Sequence, residues 1–140
     1  MDKKNIIKMV SNMKQDIGET NISGIFSDAK SDNNNSIGTS QFVEIANLCN
    51  SAECYEEIEL LIQYNIAKAK DKSSWASLCS NSKTFGSIVI KCMNEIYKDN
   101  NGDDINTLKD LSLYFGYLFW QAKVWMMQAP KVDNTKPNRR

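Results

Sequence analysis

The sequence predicts an all-α fold, a compact bundle of about five helices. Three observations carry that expectation. Apolar residues recur at three- and four-residue spacing over most of the chain. The two prolines, Pro130 and Pro137, both fall in the last eleven residues, so nothing earlier interrupts a helix. No segment shows sustained two-residue alternation, so no strand is expected. At 140 residues the chain suits one domain with a core that needs no staples.

The first segment, DKKNIIKMVSNMKQD, sets Ile6, Ile7, Val10 and Met13 at helical spacing among lysines. ISGIF at 22–26 is a short apolar piece, and KSDNNNSIGTS reads as an Asn-rich polar loop. Residues 1–38 thus form a helix and loop ahead of a helical bundle over 39–128. Thr39 or Ser40 is placed to cap a helix beginning QFVEIANLC, with Phe42, Ile45, Ala46 and Cys49 on one face. Ser51 is placed to cap AECYEEIELLIQYNIAKAKDK. That helix carries Glu53, Glu56 and Glu57 first and Lys68, Lys70 and Lys72 last, as the helix dipole favours. Its core stripe is Ile58, Leu61 or Ile62, and Ile66. After SSWASLCSNS, the segment KTFGSIVIKCMNEIYKD puts Phe85, Ile88, Val89, Cys92, Met93 and Ile96 on one broad apolar face. KDNNGDDIN breaks the chain, and a last helix, NTLKDLSLYFGYLFWQAKVWMMQ, runs to about Gln128. Residues 129–140 read as a basic, flexible tail.

Net charge is zero, but the charge is blocked. Residues 1–14 sum to +3, 15–60 to −8, 61–98 to +4, 99–122 to −3 and 123–140 to +4. A neutral chain of this pattern can present one basic face. There is no histidine, which removes the commonest general base and any Ser-His or Cys-His nucleophile. The four cysteines, at 49, 54, 79 and 92, lack zinc spacing and read as small buried hydrophobes. No Gly-rich phosphate loop is present, and NNGDD lacks the ligand alternation of a calcium loop. No cofactor, no metal and no enzymatic activity are expected. MDKKNIIK has no apolar export core, so a cytoplasmic protein with reduced thiols is expected.

YFGYLFWQAKVW at 114–125 concentrates aromatic residues. The uncharged run from Leu111 to Ala122 spans twelve residues, against about twenty for a membrane helix. A base-stacking platform would display its rings on one surface. The spacing of Leu111, Phe115, Leu118, Ala122 and Trp125 instead predicts a buried stripe on a central helix. Tyr114, Tyr117 and Trp120 point elsewhere and suit other helices or a protein neighbour.

From Thr39 to about Trp125 the chain resembles the small subunit of the type III-A CRISPR interference complex, the Csm complex. The residues that carry the likeness are GTSQFVEI, ELLIQYNIAKAKDK, KTFGSIVIKCMNEI and LYFGYLFWQAKVW, in the family's order and spacing. The resemblance implies a non-catalytic helical subunit that stacks in several copies beside other effector subunits. There it supports the duplex of crRNA and target RNA through backbone contacts. It also implies a basic residue after the small-residue turn, here Lys70, and a lysine in the last helix, here Lys123. Where the family carries an arginine after the Thr-Ser start this chain has Val43, and Gln63 stands where a lysine is common. Charge and order add Lys68, Lys72 and Lys83 to the expected RNA-binding set, because a turn over 72–83 can gather them. Two other readings stand beside this one: a helical protein–protein adaptor without nucleic acid, and the small subunit of the type III-B complex.

Overall fold

The computed structural model describes residues 1–28 and 36–128. The fold is all-α, with six helices among those residues and one very small sheet. Helix α1 (Lys3–Ile17) starts where the Asp2 carboxylate accepts the Asn5 amide at 2.8 Å, and ends at Gly18. Gly18 has φ 92°, and a Cβ there would lie 2.7 Å from Ser80 Oγ, so both backbone and space require glycine. Ile6, Val10, Met13 and Ile17 are buried, while Ile7, expected among them, is 47% exposed. The helical stripe runs from Ile6 and leaves Ile7 on its shoulder.

ISGIF becomes helix α2 (Ile22–Ile25) and strand β1 (Phe26–Ser27). β1 pairs in parallel with β2 (Ile37–Gly38), in the register Phe26 with Ile37 and Ser27 with Gly38. The expected absence of strands is corrected here: two-residue strands are too short to show alternation. The expected polar loop is corrected at its end, where Ser36, Ile37, Gly38 and Thr39 are all buried. Its remainder, 29–35, and the tail 129–140 lie outside the described residues.

Helix α3 (Ser40–Ser51) buries Phe42, Ile45, Ala46 and Cys49, as its spacing predicts. The expected hydroxyl cap does not form. Thr39 has helical backbone angles and donates its N–H to the Ser27 carbonyl at 2.9 Å, so the helix issues directly from the sheet.

Helix α4 (Tyr55–Lys68) is shorter at both ends than expected. Ser51 does not cap it; it closes α3 and donates its hydroxyl to Leu48. Carboxylates hold the entry instead. Glu57 accepts the Glu53 amide at 2.7 Å, and Asp104 accepts the Tyr55 amide at 2.9 Å. Ile58 and Ile62 are buried, with Leu61 and Ile66 packed against the core.

A connection with a short 3-10 turn at Ser74–Ala76 and another at Ser80–Ser82 leads to helix α5 (Phe85–Asp99). Thr84 caps α5 through its side chain, accepting the Ser87 amide at 3.1 Å. All six predicted apolar positions of α5 are buried. The chain turns through Gly102, φ 77°, into helix α6 (Asp104–Gln128). α6 is the central element, in contact with α1, α2, α3, α4, α5 and β1. Leu111, Phe115, Leu118, Ala122 and Trp125 form its buried stripe, as predicted. Tyr114 was expected off that stripe but is fully buried, its hydroxyl 3.1 Å from Met13 Sδ. Tyr117 is half-buried and Trp120 is 65% exposed.

Candidate nucleic-acid interface

Five aromatic rings fix one end of the bundle. Phe26 stacks on Trp125 at a centroid distance of 5.9 Å and meets Phe42 and Phe85 edge-on. Trp75 closes the cluster against Phe42 and Phe85, with its indole N–H on Gln41 at 3.2 Å. These contacts bring together the starts of α3 and α5 and the last turns of α6. Such edge-to-face pairs add about 0.5–1.5 kcal/mol each beyond their burial.

Gly86 brings in the end of α4. A Cβ on Gly86 would overlap the Ile66 side chain and stand 3.1 Å from the Trp75 carbonyl. Only glycine lets the first turn of α5 meet the last turn of α4 this closely. Lys68 follows Ile66 by two residues, and Lys83 precedes Gly86 by three. The same approach therefore draws the two lysine-bearing segments to one end.

Lys70 and Lys72 lie beyond α4 rather than on it. Ala69 is extended, ψ 141°, and the chain turns away from the helix axis so that Trp75 reaches the ring cluster. Lys72, Ser74, Asn81 and Ser82 all have φ between 52° and 63°, the left-handed region that side chains seldom adopt. The second half of this connection is tied by paired backbone bonds: Cys79 N–H to Lys83 O at 2.7 Å, and Phe85 N–H to Ser77 O at 2.9 Å.

Lys68, Lys70, Lys72 and Lys83 are exposed, and no carboxylate among the described residues lies in ion-pair range of any of them. The Lys68 ammonium stands 5.0 Å from the centre of the Tyr64 ring, itself 58% exposed. Lys123 reaches the same end on the β1 side, but it differs from the other four. It is 2.5 Å from the Asp28 carboxylate and 5.5 Å from the Phe119 ring centre. Four lysines are thus available to an anion, while the fifth already has a counter-ion. Val43 is 39% exposed and Gln63 is exposed, and neither supplies charge.

Tyr64 and Gly86 escaped the reading of the sequence. An i, i+4 Tyr-Lys pair on an exposed helix face was the available signal for Tyr64. Gly86 looked like an ordinary helical glycine, and only the facing Ile66 reveals its role.

Burial pushes the Cys49 thiol up to about 12 and those of Cys79 and Cys92 up to about 11, so these groups stay protonated at neutral pH. Among the described residues no group of three or more Cys, Asp or Glu is gathered as metal ligands. No helix of the described residues is long and apolar enough to cross a membrane. What this surface offers is point cations beside one exposed ring, a set that attracts phosphate without fixing a base sequence. No family model matches the chain, and no curated protein and no solved structure matches it.

Proposed function

We propose that this chain is a non-catalytic small subunit of a type III-A CRISPR RNA-guided effector complex, acting in the cytoplasm in antiviral defence. Several copies stack beside the other effector subunits. Each lays its lysine end along the backbone of the crRNA–target RNA duplex and makes no sequence-specific contact. The observation that carries this reading is the Ile66–Gly86 approach, which sets the end of α4, bearing Lys68, against the start of α5, two residues after Lys83, with Lys70 and Lys72 on the connection between them. Lysine ammoniums bind phosphate as strong, hydrated point charges, which suits contacts that follow any sequence. Four such contacts give a log–log salt slope of about −4 on a duplex. One isolated copy binds weakly, and stacked copies gain by effective concentration.

The test is a tagged pull-down from native extract, with and without ribonuclease, followed by charge reversal of Lys68, Lys70 and Lys72. Discrete guide RNAs recovered with repeated backbone subunits, and target capture reduced at least about tenfold by the reversal, are the expected results. Unchanged capture removes these lysines from the function. A second reading, a helical adaptor, is favoured by the 65% exposure of Trp120. It predicts protein partners whose recovery is insensitive to ribonuclease.

A further inference from the structure

Gly116 lies in the middle of α6, and its φ is not in the left-handed region. A Cβ there would meet nothing within 4 Å. Neither backbone geometry nor internal packing asks for glycine, yet it costs a helix interior about 1 kcal/mol relative to alanine. One turn further along stands Trp120, followed by Val124, 38% exposed, and Met127, 74% exposed. Across from them α1 presents Ile7. Ile7, Val10, Tyr117, Trp120, Gln121 and Val124 line an apolar groove of about 180 Å³ between α1 and α6. The Ser11 hydroxyl donates to the Gln121 side chain at 3.2 Å and ties the two walls together.

Around this groove lysines outnumber carboxylates among the described residues. Lys3 and Lys4 precede Ile7 by four and three residues, and Lys14 follows by seven, so all three share its side of α1. Among the described residues the counter-charge paired on that side is Glu19, 3.8 Å from Lys14. α6 carries no charged residue between Asp110 and Lys123.

We propose that the α1–α6 groove docks an amphipathic helix of a partner protein, one with bulky apolar residues along a stripe and carboxylates on its flanks, crossing α6 at Gly116. A residue without a side chain lets a second helix axis approach closely, and a helix supplies anchors at i, i+3, i+4 and i+7 spacing. Trp120 is the anchor on this side, a residue type that dominates interface energetics. The lysine rim selects carboxylates. A second copy of this chain fits less well, because its α6 brings no carboxylate to face that rim. The chain after Gln128, APKVDNTKPNRR, has Val132 as its one large apolar side chain and is itself basic. This surface is independent of the lysine end and of the RNA reading.

The test uses the full chain and a synthetic helix about 18 residues long. One version carries Leu and Phe along one stripe with Glu on the flanks; its isomer carries Lys there. Binding is read by fluorescence anisotropy of the labelled peptide. The Glu version is expected to bind at least about tenfold more tightly than the Lys version. Gly116→Leu, whose Cβ meets nothing within 4 Å, and Trp120→Ala are each expected to weaken it at least about tenfold with melting behaviour preserved. Equal affinity for the two peptides, no binding, or indifference to Gly116→Leu overturns the proposal. So does self-association in sedimentation that Trp120→Ala abolishes, or single-stranded RNA binding lost in that variant; these assign the groove to a second copy or to RNA.

Discussion

The two ends of the bundle use charge differently. At one end carboxylates accept hydrogen bonds from the chain itself. Asp104 and Glu57 hold backbone amides at the start of α4, and Asp103 accepts the Asn106 amide at 3.1 Å. Asp110, 8% exposed, accepts from Asn100 and from the Met1 ammonium, each at 2.9 Å. At the other end Lys68, Lys70, Lys72 and Lys83 have no carboxylate partner among the described residues. Acids complete the fold at the first end, and cations are left for an outside partner at the second. A count of zero net charge conceals that division.

The sharpest way to break the contrast is Gly86→Leu. Its side chain collides with Ile66 and with the Trp75 backbone. We expect a loss of about 3 kcal/mol in urea unfolding, together with weaker RNA capture as the lysine segments separate. Next comes Asp110→Asn, which leaves the Met1 ammonium with only the half-exposed Asp99, 3.1 Å away. The expected cost is about 2 kcal/mol, with RNA capture unchanged. A variant as stable as the parent would show that the acidic end does not hold the fold. Tyr64→Ala sharpens the other side. Stability should change by less than about 0.5 kcal/mol, and capture of RNA with unpaired bases should fall by about fivefold, with none of that loss for an abasic strand.

The smallest effect is a pH dependence. The Asp110 and Asp99 carboxylates raise the Met1 ammonium above its ordinary 8.0. A group raised in the folded state contributes fully below its unfolded value and loses that contribution as pH climbs through its folded one. A small decline in melting temperature is therefore expected above pH 8.0, and it should shrink in Asp110→Asn.

Periodicity made the cores of α3, α5 and α6 legible, because each buries one contiguous stripe. It failed where the deciding contact is remote. The start of α4 is held by Asp104, forty-nine residues away from Tyr55, so no local cap signalled it. Its end was hidden for the opposite reason. Ala69, Lys70 and Lys72 suit a helix by propensity, but burial of Trp75 among the Phe42 and Phe85 rings overrides them. The lysines of the candidate interface were legible as a set. That four have no carboxylate partner among the described residues while Lys123 is held by Asp28 depends on β1, whose two residues give no strand pattern.

α6 is 25 residues long, about 38 Å, and every other helix leans on it. It has no half that can detach while the remainder keeps its walls. Its amides should therefore exchange with solvent only through global opening, whereas the exposed residues 70–72 and 81–83 of the connection, outside the Trp75 cluster, can open at lower cost. A ligand at the lysine end would then slow exchange in the connection and leave α6 untouched, and a ligand in the α1–α6 groove would slow α6 only by stabilising the whole molecule.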